Sequence, residues 1–82
     1  MSQLQVDDVI RGYYVDMSPR YYKVMKVTPQ KVKVLRLKHR FGPDGANLGP
    51  GTTTYGEEHT MTKKDELSAT HYGMLCTKME IN

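Results

Sequence analysis

The sequence predicts an all-β domain, a small antiparallel barrel of about five strands with one long glycine-rich loop and one short helical turn. Three observations carry that prediction. Tyr21 to Thr28 and Lys31 to Arg40 are rich in β-branched and aromatic residues and alternate charged with apolar positions, as half-buried strands do. Each run slips once in its alternation, at Val24-Met25 and at Val34-Leu35, which fits strands that bulge around the corner of a small barrel. A 3.6-residue period would put Lys23 and Lys26 on the apolar stripe, so a helix over the same run is disfavoured.

The 82 residues suffice for one domain, expected over 1–82, and not for a second core. With Phe41 the only phenylalanine and no tryptophan, the core must come from Val, Leu, Ile, Met and the apolar bodies of six tyrosines. The single cysteine, Cys76, rules out an intramolecular disulfide and points to a reducing, cytoplasmic setting. Met1 to Asp8 has neither a basic nor an apolar leader pattern, and no stretch approaches the roughly 20 apolar residues that span a bilayer. No membrane partner is expected.

Taken in order, Val9 to Tyr14 reads as the first strand, with Gly12 allowing a bend or bulge. Asp16 and Ser18, whose side chains bond nearby backbone, and Pro19, which presets φ, make the next segment a turn. Pro29-Gln30 then joins Tyr21–Thr28 to Lys31–Arg40 as a hairpin, with Val24, Val27, Val32, Val34 and Leu37 expected inside. From Phe41 to Gly56 five of the seven glycines, two prolines and three threonines predict a long adaptable loop. Tyr55–Thr62 and His71–Glu80 read as the last two strands. Between them Thr62-Lys63-Lys64-Asp65 resembles a helix start, so Lys63 to Ala69 is expected to make a short helical turn.

Charge is segregated along the chain. Met17 to Pro43 contains eight basic residues and no acid, whereas the remainder holds four basic residues against nine acids. If Val32 and Val34 face the core, Lys31 and Lys33 face outward together, and beyond the slip Arg36, Lys38 and Arg40 continue the ladder. Cations about 7 Å apart along a strand approach the spacing of successive phosphates. Arg20, Lys23 and Lys26 on the preceding strand add to this surface, and Tyr13, Tyr14, Tyr21 and Tyr22 lie close enough in sequence to stack on unpaired bases where exposed. Lysines also protect strand edges and form ordinary solvated faces.

Val6 to Leu37 resembles a group of small, uncharacterised phage and mobile-element proteins. That group has a G-D-I/V opening strand, a Tyr-containing polar loop, an aromatic pair F/Y-Y-x-V and a V-x-V hairpin. Asp8-Val9-Ile10 and Tyr21-Tyr22-Lys23-Val24 match, Asp7 stands where the group has Gly, and tryptophan is absent. The order of elements is also similar to SH3-like barrels of the KOW type. Those resemblances imply an SH3-like barrel that binds peptide, RNA or another protein.

No motif commits the chain to catalysis or to a cofactor, and neither is expected. His39, His59, His71 and Cys76 follow no metal-ligand spacing. His71 and Cys76, five apart in one expected strand, would point to opposite faces, so Cys76 reads as a buried structural thiol. The glycine-rich loop lacks the Lys-Ser/Thr ending of a phosphate-binding loop, and the acidic pairs Asp7-Asp8, Glu57-Glu58 and Asp65-Glu66 read as solvated surface. The expectation is a non-catalytic binding module that holds RNA or DNA through its basic hairpin. A module docking on a host protein complex is the alternative.

Overall fold

A computed structural model describes residues 3–79. Six strands, β1 (Val9–Tyr13), β2 (Pro19–Val27), β3 (Lys31–Phe41), β4 (Asn47–Lys63), β5 (Ser68–His71) and β6 (Met74–Lys78), run antiparallel in chain order. Pairing of Ile10 and Arg11 with Lys78 and Thr77 joins β6 back to β1 and closes a small SH3-like barrel. The described residues contain no helix.

The β2–β3 hairpin lies where the alternation placed it, with Val24 opposite Val34 and Val27 opposite Val32. Val24, Val32 and Val34 are fully buried in the core and Val27 is half-buried against it; Leu37 is nearly buried too, but lies outside that cluster, opposite Tyr21. Ile10, Tyr22, Met61, Ala69 and Cys76 complete the core. Leu4, whose amide donates to the Glu66 carbonyl at 2.8 Å, covers the end of the barrel at which β1 begins. Gly12 is buried for a packing reason and makes no bulge: a Cβ there would lie 2.6 Å from Cys76 Sγ.

Three expectations fail, each for a local reason. The segment Phe41 to Gly56 is mostly strand. β4 runs for 17 residues against β3, and the connection between them narrows to Gly42–Ala46, closed by the Gly42 amide on the Ala46 carbonyl at 2.8 Å. Glycine composition there marks bulges. Leu35 pairs with Glu58 and Leu37 with Thr54, so Arg36 alone faces Tyr55, Gly56 and Glu57. A second bulge follows between Leu37 and His39 and a third at Arg40/Phe41, and Gly49 and Gly56 supply positive φ of 99° and 77°.

The expected helical turn over Lys63 to Ala69 is instead the β4–β5 connection. Asp65 holds it as a turn, its carboxylate accepting from the Leu67 amide and the Ser68 hydroxyl at 2.8 Å each. Those bonds hold the Asp65 carboxyl below its ordinary pKa. The expected strand His71–Glu80 is in turn divided. Tyr72 and Gly73, at φ of 51° and 80°, form a two-residue turn between β5 and β6, the geometry that suits a tight hairpin. The barrel therefore has six strands, and Glu80 lies outside the described residues.

Beyond Leu37, β3 has no β2 partner and pairs with β4 alone. This two-stranded arm agrees with the 41 Å long axis of a molecule only 27 by 24 Å in its other dimensions.

Candidate functional site

The predicted cationic ladder divides between two surfaces because only one of the two expected slips exists. β2 bulges between Val24 and Lys26, leaving Met25 unpaired, whereas β3 keeps strict alternation from Lys31 to Leu37. Lys31 and Lys33 therefore point away from the core, and Arg36 falls on the same side as Val32 and Val34. Along the arm Lys38 and Arg40 follow Arg36, while Leu37, His39 and Phe41 take the other side.

On the outer wall, Lys23 pairs with Asp7 at 3.4 Å and Lys33 with Glu58 at 3.5 Å. Lys26, Lys31 and Lys33, with Thr28 and Thr60, surround a shallow hollow of about 110 Å³ that contains no aromatic ring. Exposed pairs of this kind contribute little to stability, but each partly neutralises a cation that a phosphate would need.

The inner side is different. At the mouth of the barrel, between the β1–β2 loop and the β5–β6 turn, lies a cavity of about 350 Å³. Tyr13, Tyr14 and Val15 line it from the β1–β2 loop, Tyr72, Gly73 and Met74 from the β5–β6 turn, and Arg20, Tyr22, Arg36, Glu57, His59 and His71 line the remainder. Position follows from register: Tyr22 pairs with Arg36, and Arg20 sits two residues before Tyr22 on the same face of β2. The β4 bulge opposite Arg36 turns Tyr55 onto that guanidinium, with ring centre and Cζ 4.5 Å apart, and Gly56 bonds back to Thr54 within it.

Cations and rings interleave here. Arg20 lies over the Tyr14 ring at 4.2 Å, and Lys38 approaches the Tyr55 ring at 5.4 Å. Among the described residues none of Arg20, Arg36, Lys38 or Arg40 forms an ion pair with a carboxylate. Arg36 Nε is buried and has no hydrogen-bond partner. A buried donor without an acceptor is costly, on the order of 1–3 kcal/mol, and so requires a reason.

Tyr21 and Tyr22 are only 5% and 3% exposed, so neither offers a free ring face. Tyr21 packs edge-on against His39 on the outer side, and Tyr22 lies at the cavity, edge-on to His59. Burial raises the Tyr22 pKa above the ordinary phenol value, with a smaller push from Cys76, and the opposing pull of Arg20 and Arg36 does not reverse it. Its hydroxyl remains protonated and can donate. Tyr13 and Tyr14 are half-exposed, and so is Tyr55, while Tyr72 is 97% exposed; the last two were not among the tyrosines singled out from sequence. A Tyr-Gly step between short apolar runs was the available hairpin signal for Tyr72. Nothing in the sequence marked Tyr55 beyond its glycine neighbour.

His59 and His71 face each other with ring centres 5.1 Å apart, and Glu57 lies 3.4 Å from His59 Nε2. Burial, then the neighbouring His59, lowers the His71 pKa. Cys76 belongs to β6 and His71 to β5, so the two do not share the single strand expected of them. Cys76 is a buried free thiol, as expected, and burial pushes its pKa to about 11. No group of three His, Cys, Asp or Glu side chains among the described residues is placed to hold a metal ion, and no helix among them is long and apolar enough to cross a membrane.

Arg36 belongs both to the cavity lining and to the side of the arm that carries Lys38 and Arg40, so cations and aromatic rings continue from the mouth onto the arm, a surface suited to an anionic ligand with flat groups. Comparison with protein-family models, with curated proteins and with solved structures finds no match to this chain, so its physical chemistry carries the functional reading.

Proposed function

We propose that this protein is a non-catalytic module that binds single-stranded nucleic acid along the concave face formed by the barrel mouth and the β3–β4 arm. The observation that carries this reading is the run Arg20, Arg36, Lys38 and Arg40, free of carboxylate partners among the described residues and interleaved with Tyr14 and Tyr55. Cations hold the phosphate backbone, and the exposed rings of Tyr13, Tyr14, Tyr55 and Tyr72 accept unstacked bases. Rings inside a concave face favour single strands over duplex, whose bases offer no free π-face. Two arginines in the cavity also argue against a cationic ligand such as a methylated lysine, which aromatic cages otherwise suit.

A non-catalytic role is supported by the position of the one thiol, buried in the core with its pKa high and absent from the cavity lining. The second reading is a protein-docking module, in keeping with the resemblance to small phage and mobile-element proteins. It draws support from the other side of the arm, where Phe41 is 64% exposed and stacks on His39.

Titration with single-stranded DNA, single-stranded RNA and duplex at two salt concentrations tests the proposal, with intrinsic tyrosine fluorescence as a second signal. Four phosphate contacts predict a log-log salt slope of about −3 on single strands. Quenching of tyrosine emission should accompany binding. Absence of single-strand binding at low salt refutes the proposal and puts the protein-docking reading first.

A further inference from the structure

The cavity at the barrel mouth has a feature that strand binding alone does not require. A groove for internal nucleotides needs only to be lined by cations and rings, yet here two guanidiniums and a hydroxyl converge at a closed end. Arg20, Tyr22 and Arg36 all line the cavity, Tyr22 pairing with Arg36 across β2 and β3 and Arg20 standing two residues before Tyr22 on the same face of β2. Behind Tyr22 the barrel is filled by Ile10, Val24, Val34 and Cys76, so nothing entering the mouth can pass through.

The orphaned Nε of Arg36 lies in this region. A guanidinium engages a phosphate best through two parallel N–H donors, and the Nε edge is one of the two edges that can do so. Inside the protein the Arg36 Nε has no acceptor. The cavity, at about 350 Å³, lies at the low end of ligand-site volumes and fits one nucleotide rather than several.

We infer that the cavity is an end-recognition pocket, seating the terminal phosphomonoester of a single strand against Arg36, Arg20 and the Tyr22 hydroxyl, with the terminal base against the tyrosines that line the mouth. A terminal phosphate can go deepest because only one ester bond leaves it, whereas an internal phosphodiester would have to lead the chain in and out of a blind pocket. Its extra charge is matched by two arginines that have no carboxylate partner among the described residues. Glu57 is the one acid at the rim and lies toward His59, away from this donor set. The inference rests on the nucleic-acid reading of the same face and adds to it which part of the strand the cavity takes.

The test uses the full chain and short oligonucleotides of one sequence carrying a 5′-phosphate, a 3′-phosphate or hydroxyls at both ends, with a nucleoside 5′-monophosphate and inorganic phosphate as competitors. One phosphorylated end should bind about tenfold more tightly than the hydroxyl-ended strand. The mononucleotide should abolish that difference at concentrations where inorganic phosphate does not. Arg36→Lys, which keeps the charge and loses the fork, should bring the ratio of phosphate-ended to hydroxyl-ended affinity, both measured on the variant, from about tenfold to near one. Wild type decides the matter even if that variant is unstable.

Equal affinity for all three strands overturns the inference and leaves the strand-binding reading standing. If the mononucleotide binds but no strand does, the phosphate pocket is supported and the strand-binding reading falls.

Discussion

Gly12→Ala is a direct test of how tightly the barrel closes beneath the site. The added methyl would lie 2.6 Å from Cys76 Sγ and 2.9 Å from Met74 Cγ, about 1 Å inside ordinary contact. Cys76 is fully buried, so its sulfur has no open space to move into, whereas Met74 is only partly buried and can yield toward the cavity it lines. Overpacking of this kind costs about 1–3 kcal/mol. Against it stands a gain of about 0.4–1 kcal/mol from the stiffer unfolded chain, because Gly12 is not among the positive-φ glycines.

The net loss should be about 1–2 kcal/mol, and in a domain of this size each kcal/mol lowers Tm by about 4–8 °C. Thermal or urea unfolding followed by circular dichroism measures it. Removing the sulfur should reverse the sign: in a Cys76→Ala background Gly12→Ala becomes neutral or stabilising, a coupling of about 1–2 kcal/mol in the double-mutant cycle. A single variant as stable as wild type, or one equally destabilised in both backgrounds, would refute the packing explanation.

The fold and its charges fix three further outcomes. Because burial and His59 lower the His71 pKa below its ordinary 6.5, the unfolded chain takes up this proton first as pH falls. The His71 contribution to stability is therefore complete above about pH 6.5 and is lost below it, so melting curves from pH 7.5 to 5 should show a steeper fall in Tm for wild type than for His71→Asn; parallel curves would contradict the assignment. In the arm, the amides that pair β3 with β4 beyond Leu37 have no third strand beside them, so they should exchange faster than those of Val24, Val32 and Val34. Limited proteolysis should cut first at Gly42–Ala46 and spare Gly51–Thr54, and cleavage in the latter segment would show that the bulged strand is not formed.

How much of this was legible beforehand depends on where side-chain pattern and backbone chemistry agree. The β2–β3 hairpin and its core valines could be read because period-2 alternation and β-branched content pointed the same way. Phe41 to Gly56 could not, because composition reports glycine without distinguishing a loop from a bulge; the ladder to β3 that makes it a strand is a tertiary fact. Thr62-Lys63-Lys64-Asp65 reads as a helix start, but a carboxylate that can cap a helix can equally bond the amide two residues on, and at Asp65 that turn prevails over a helix of two turns.

The site suffered from the same ambiguity in sharper form. Val34-Leu35 looks like a register slip, yet Leu35 simply occupies an outward position opposite Lys23, and that single difference moves Arg36, Lys38 and Arg40 to the other face of β3. The residue types were legible, and their grouping was not.

The central claim is that the concave face, and not the outer wall, meets nucleic acid. Salt titrations on single-stranded DNA should therefore compare Lys38→Ala/Arg40→Ala with Lys31→Ala/Lys33→Ala, two double variants that each remove two exposed cations of the same strand. The first should weaken binding and flatten the log-log slope by about 1.4, while the second leaves slope and affinity near those of wild type. The opposite pattern, loss with Lys31→Ala/Lys33→Ala and none with Lys38→Ala/Arg40→Ala, would contradict the claim and put the interface on the outer wall.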